Sequence, residues 1–90
     1  MEEETLDKIL DKIKSTILIK NESYGNSFHE TIEEYGLLAL IIRLTDKFNR
    51  LKILYKNYGS LEDTLIDIAG YAILGLIELK NTKNGVKRWK

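Results

Sequence analysis

Two segments of this 90-residue chain, Leu37–Ile42 and Ile68–Ile77, are apolar on nearly every side, and no proline interrupts the sequence anywhere. A helix tolerates apolar residues all round only when other helices surround it. A chain this short, which builds one core at most, has too few helices to enclose two such segments. Part of its surface is therefore expected to be buried between subunits. Strand-like alternation is missing, so the chain reads as all-α: three helices assembling into an oligomeric helical bundle.

The first helix is expected over about residues 3–20, where Leu6, Ile9, Leu10, Ile13 and Ile17 recur at spacings of three and four. Asn21–Asn26, with Gly25 in a Tyr-Gly-Asn sequence, is expected to break it, because Gly and Asn tolerate the positive φ of a tight turn. Ser27 followed by Glu30 has the form of a capping box, which opens a long second helix running to about Asn57. Tyr58-Gly59 ends that helix, and Ser60 with Asp63 repeats the capping signature at the start of a third, about 60–80. Residues 1–80 then form a single helical domain and 81–90 a basic C-terminal tail.

Charge balances in total, 14 Lys and Arg against 14 Asp and Glu, but it is strongly segmented. Residues 1–34 hold nine acids against four bases, 43–56 five bases against Asp46 alone, 57–79 four acids and no base, and 80–90 five bases. Such alternation argues against a general nucleic-acid surface and leaves room for a small anion in a local basic pocket. With no cysteine, thiolate catalysis, zinc knuckles and disulfide frameworks are excluded. The acidic start and the shortness of the uncharged runs argue against a signal peptide or a membrane span, so a cytoplasmic protein is expected.

On a helical wheel the second helix places Glu33, Gly36, Leu40, Arg43, Lys47 and Arg50 within about 60° of His29, the only histidine. Three cations on one face repel one another unless an anion or a carboxylate sits among them. Arg43 and Arg50 offer planar forks to phosphate oxygens and Lys47 a point charge, so the face can clamp a nucleotide, or it can pair with acids of a neighbouring helix. Glu30 and Glu34 enter the apolar stripe of the same helix at its start, and Asp63 and Asp67 begin a comparable stripe on the third. Four carboxylates converging from two helices would suit Mg²⁺ bridged to substrate phosphates, whereas acids in a first helical turn also simply favour the helix dipole.

Three ordered motifs carry a family resemblance. Lys20-Asn21-Glu22-Ser23-Tyr24-Gly25, then Arg43-Leu44-Thr45-Asp46-Lys47-Phe48-Asn49-Arg50-Leu51, then Glu62-Asp63-Thr64-Leu65-Ile66-Asp67-Ile68-Ala69-Gly70-Tyr71-Ala72 resemble the nucleotide modification associated domain of small phage and bacterial proteins, over about residues 18–80. The resemblance implies a phage or prophage protein associated with nucleotide metabolism. It suggests a ligand set of Tyr24, Gly25, Asn26, Arg43, Asp46, Lys47 and Arg50, with Tyr55 and Tyr58 also available for stacking. More distantly, Glu30, Glu33 and Glu34 followed by Asp63 and Asp67 are similar to the acidic helices of MazG-type all-α nucleoside triphosphate pyrophosphohydrolases. Leu37 stands where that pattern has its third Glu, and Ile66 where it has its Asp.

Two functions are thus expected. In the first, a homo-oligomer binds or sequesters a phosphorylated nucleotide or nucleotide-derived immune signal, such as a cyclic ADP-ribose isomer or a cyclic dinucleotide, without turnover and without a cofactor. In the alternative, Glu30, Glu34, Asp63 and Asp67 hold Mg²⁺ and the protein hydrolyses nucleoside triphosphates. Neither reading involves a membrane or nucleic acid as partner.

Overall fold

The computed structural model describes residues 2–24 and 27–85, with side chains for 2–22 and 27–81. It contains four helices rather than three: α1 (Glu3–Tyr24), α2 (Ser27–Tyr35), α3 (Leu38–Leu54) and α4 (Tyr58–Gly85). No strand occurs among the described residues, as the sequence pattern requires.

The expected second helix is divided at Gly36, which takes φ 76°. Ala or Leu would pay about 1–2 kcal/mol for that left-handed conformation, and Gly takes it freely. The Gly36 amide closes α2 by donating to the Ile32 carbonyl at 2.7 Å, and Leu37 then opens α3 as its N-cap without a side-chain cap. Gly36→Ala is expected to destabilise the fold by about 1–2 kcal/mol. Urea denaturation with an unchanged midpoint would contradict that role for the turn.

Two other boundaries shift. The first helix does not stop at Asn21 but continues to Tyr24. Its last full turn is tied to α4 by Lys20, whose ammonium donates to Asp67 Oδ1 at 2.8 Å, and such a tertiary tie outweighs the weak helix propensity of Asn and Ser. At the start of α4 the cap is Asn57 and not Ser60. The Asn57 carbonyl accepts the Leu61 amide at 3.0 Å, and its side-chain Oδ1 accepts the Ser60 amide at 3.4 Å. Beyond residue 80, where a tail was expected, α4 runs on to Gly85.

Every other helix is arranged around α4. α1 lies parallel to it, since Lys12 pairs with Glu62 at 3.1 Å and Ile17 packs on Gly70. α3 lies antiparallel, since Lys47 meets Asp67 and Leu40 packs on Gly75. A Cβ at Gly75 would stand 2.7 Å from Leu40 Cδ2, so this glycine permits the close approach of α3 and α4. The short α2 packs against α3 and brings its first turn to the second half of α4, with Phe28 against Tyr71 and His29 against Glu78.

Few apolar side chains are fully enclosed: Ile13, Ile32 and Ala39 form the buried hydrophobic core. Of the α1 stripe, only Ile13 is buried, while Leu6, Ile9 and Leu10 stay substantially exposed. Leu38, Ile41, Ile42 and Leu76 are each more than half exposed, so much of the two all-round apolar segments is uncovered in the single chain. No described helix is long and apolar enough to cross a membrane.

Candidate functional site

A half-open groove of about 650 Å³ runs between α1, the first turn of α2 and the inner side of α4. Its polar groups fall into three levels along α4. Asp67 and Glu78 mark the two ends of this series, 11 residues and so about 16 Å apart on a helix.

At the first level, two ammonium groups converge on one carboxylate. Lys20 of α1 donates to Asp67 Oδ1 at 2.8 Å and Lys47 of α3 donates to Asp67 Oδ2 at 3.1 Å. Both oxygens of the one carboxylate are thus engaged by ammonium groups from two different helices. Burial works against ionisation of Asp67, but the hydrogen bonds from Lys20 and Lys47 and their charges outweigh it and hold the carboxyl below its ordinary value.

One turn further along, Phe28 and Tyr71 make a tilted aromatic pair, ring centroids 5.6 Å apart and planes at 52°. Gly70, beside them, leaves the α4 backbone without a side chain in the groove wall. At the last level the buried Glu78 receives His29 Nδ1 at 2.9 Å from each of its oxygens. A carboxylate only accepts hydrogen bonds, so Nδ1 carries the proton, and Nε2 lies 3.6 Å from Glu33. The amides of Asn21 and Asn81 and the hydroxyls of Thr16 and Ser27 complete the polar lining.

The residues singled out from sequence are distributed differently from the expectation. Arg43, Lys47 and Arg50 do share α3, but Lys47 is turned inward to Asp67 while Arg43 and Arg50 are exposed. Arg43 and Asp46 line a separate depression of about 230 Å³ with Thr31 and Tyr35. His29 and Glu33, expected on the same face as these cations, belong to α2, which the Gly36 turn detaches from α3. Gly25 and Asn26 lie outside the described residues, and Tyr24 lies outside the described side chains. Tyr55 and Tyr58 are exposed.

The four carboxylates considered for Mg²⁺ are not gathered. Glu30, Glu34 and Asp63 are exposed, with Glu34 hydrogen-bonded to the Tyr35 phenol, whose pKa that bond and the neighbouring charge raise. Asp67 is held by two lysines. Among the described residues no group of three or more His, Cys, Asp or Glu is arranged to hold a metal ion.

What sequence reasoning missed is the groove itself, built by Lys20, Phe28, Tyr71 and Glu78 from three helices. The parallel packing of α1 on α4 creates it, and periodicity within one helix carries no information about which helices become neighbours. The available signal was the pair of aromatics Phe28 and Tyr71, each beside a polar residue on an otherwise apolar face.

No protein-family model, curated protein or solved structure matches the chain. The resemblance to the nucleotide modification associated domain therefore stands on the three quoted motifs alone.

Proposed function

We propose that this chain, as a homo-oligomer, binds a phosphorylated nucleotide or nucleotide-derived signal in the α1–α2–α4 groove and holds it without turnover. The observation that carries the reading is the order of chemistry along α4: an ammonium group, Lys20, at Asp67, an aromatic pair at Tyr71, and a polar group at Glu78. A nucleotide presents the matching sequence of a phosphate, a sugar and a flat base. Its phosphate would sit beside Lys20, its base on the Phe28–Tyr71 pair, and its polar edges on Asn21, Asn81 or His29. The groove volume falls within the roughly 300–1,000 Å³ of small-molecule sites. Holding requires only complementary donors and stacking, whereas phosphoryl hydrolysis requires stabilisation of charge developed in the transition state. The separation of Glu30, Glu34 and Asp63 from the lysine-held Asp67 supports binding over hydrolysis.

Thermal denaturation with a panel of nucleoside phosphates, cyclic dinucleotides and unphosphorylated nucleosides tests this. A ligand at 100 times its Kd adds about 2.7 kcal/mol, enough for a Tm rise on the order of 10 °C in a chain this size. A phosphorylated member should give the shift, its bare nucleoside should not, and Lys20→Ala and Tyr71→Ala should each remove it. If Arg43→Ala or Arg50→Ala removes the shift while Lys20→Ala and Tyr71→Ala keep it, the ligand sits on the outer face of α3 instead.

A further inference from the structure

We propose that two copies of the chain pair antiparallel along the outer face of α4, about a two-fold axis at Ala72. The inference rests on the oligomer proposed above and gives it an interface. The inner side of α4 is occupied: Asp67, Gly70, Gly75 and Glu78 face α1, α3 and α2. At about 100° per residue, Leu65, Ala69, Ala72, Leu76 and Leu79 fall within about 80° of one another, away from Asp67, Gly70 and Glu78 and bordered on one edge by Gly75 where α3 packs. Leu65, Leu76 and Leu79 are 51%, 65% and 47% exposed, and Ala72 is exposed with them. No charged residue interrupts the stripe, which extends about 21 Å. An uncovered apolar stripe of this kind marks an interaction surface.

A second copy is the occupant that the spacing fits. A two-fold interface must be self-complementary, each residue i meeting j while j meets i. Leu65 and Leu79 each lie seven residues from Ala72. Antiparallel pairing centred on Ala72 therefore sets Leu65 near Leu79 of the second copy, each within about 20° of the centre line. Ala72 meets Ala72 at the centre, where small side chains let the helix axes approach.

Charge selects the same direction. Glu62, which also pairs with Lys12 of its own α1 at 3.1 Å but stays 65% exposed, and Lys80 are 18 residues apart, five full helical turns, so they sit on the same edge of the stripe at its two ends. Antiparallel pairing brings Glu62 of one copy near Lys80 of the other at both ends, whereas parallel pairing would place Glu62 beside Glu62. A compact folded chain of 10.4 kDa exposes about 5,400 Å² and this one exposes 7084 Å². That excess is spread over the apolar side chains left exposed on α1, α3 and α4, of which Leu65, Leu76 and Leu79 belong to this stripe.

Because the chain has no cysteine, single introduced cysteines report position without background. With a short bismaleimide and no nucleotide, Ala72→Cys should give a covalent dimer, while Lys14→Cys on α1 should remain monomeric. Leu65→Cys and Leu79→Cys should cross-link poorly alone and efficiently when mixed. Leu76→Glu should reduce the scattering mass to 10.4 kDa with helical circular dichroism retained. If that variant unfolds, the cross-linking series decides. A wild-type mass of 10.4 kDa at about 100 μM would overturn the assembly itself. An assembly in which Ala72→Cys stays unlinked, or Leu65→Cys links to itself, would overturn this interface. Pairing of a foreign helix or a lipid surface with the stripe would leave all these cysteines uncross-linked. Failure of nucleotide binding would leave the cross-linking pattern unchanged.

Discussion

Ile32→Ala is expected to destabilise the protein by about 2–5 kcal/mol, measured as the loss of unfolding free energy in urea at fixed protein concentration. Ile32 is fully buried and is the largest side chain so enclosed. Its removal withdraws buried apolar surface and leaves a cavity that the short α2 can only partly close. Nine residues are too few for a helix to persist alone in water, so α2 depends on this docking. Ile32→Val, which removes one methylene, should cost about 0.5–1.5 kcal/mol. The truncation should also weaken any groove ligand, because α2 carries Phe28 and His29 into the wall. A cost below about 1 kcal/mol for Ile32→Ala would show that α2 is not fixed in this way.

Asp67→Asn is expected to cost about 2–3 kcal/mol at pH 7, between the small value of an exposed ion pair and the roughly 3–5 kcal/mol of breaking a buried one. The placement is intermediate: the Asp67 side chain is 15% exposed and that of Lys47 19%, whereas Lys20 is half exposed. Removing the carboxylate charge leaves Lys47 largely buried without its counter-ion. The same loss should follow from acid. The folded-state pKa of Asp67 is lowered, so its contribution is fully present above the unfolded value of 3.8 and disappears as pH falls through the lower folded value. The gap in stability between wild type and Asp67→Asn should therefore close on acidification below pH 3.8. A gap that stays constant through that range would show that the ionised carboxylate is not what holds the two lysines.

The all-helical class was legible because spacing within one helix suffices for it, and the α1 stripe from Leu6 to Ile17 became a helix as its period required. The break at Gly36 was not. Tyr35, Leu37 and Leu38 around it are adequate helix formers, and the roughly 1 kcal/mol penalty of an interior glycine does not decide between a helix and a turn. Tertiary packing decides it, through burial of Ile32 and Ala39 on either side. The wheel that aligned His29 with Arg43 assumed one continuous helix, so that single turn moved the histidine from the α3 cations to Glu78. Within α3, Lys47 turns inward and pairs with a neighbouring acid, Asp67, as one of the two sequence readings allowed, while Arg43 and Arg50 stay exposed. Lys20 and Tyr71 were visible only as members of motifs. Their juxtaposition depends on α1 and α4 lying parallel, which no local pattern specifies.

Binding without turnover requires that the groove take up a phosphorylated nucleotide and return it unaltered. Mass spectrometry of the small molecules released by heat from protein incubated with Mg²⁺ and a mixture of nucleoside triphosphates and cyclic nucleotides tests it most directly. One phosphorylated species should be recovered intact, in near-stoichiometric amount, from wild type and not from Lys20→Ala. EDTA should not change the yield. Pyrophosphate and a nucleoside monophosphate released over many turnovers, and lost in Glu34→Gln or Asp67→Asn, would contradict it and establish a hydrolase.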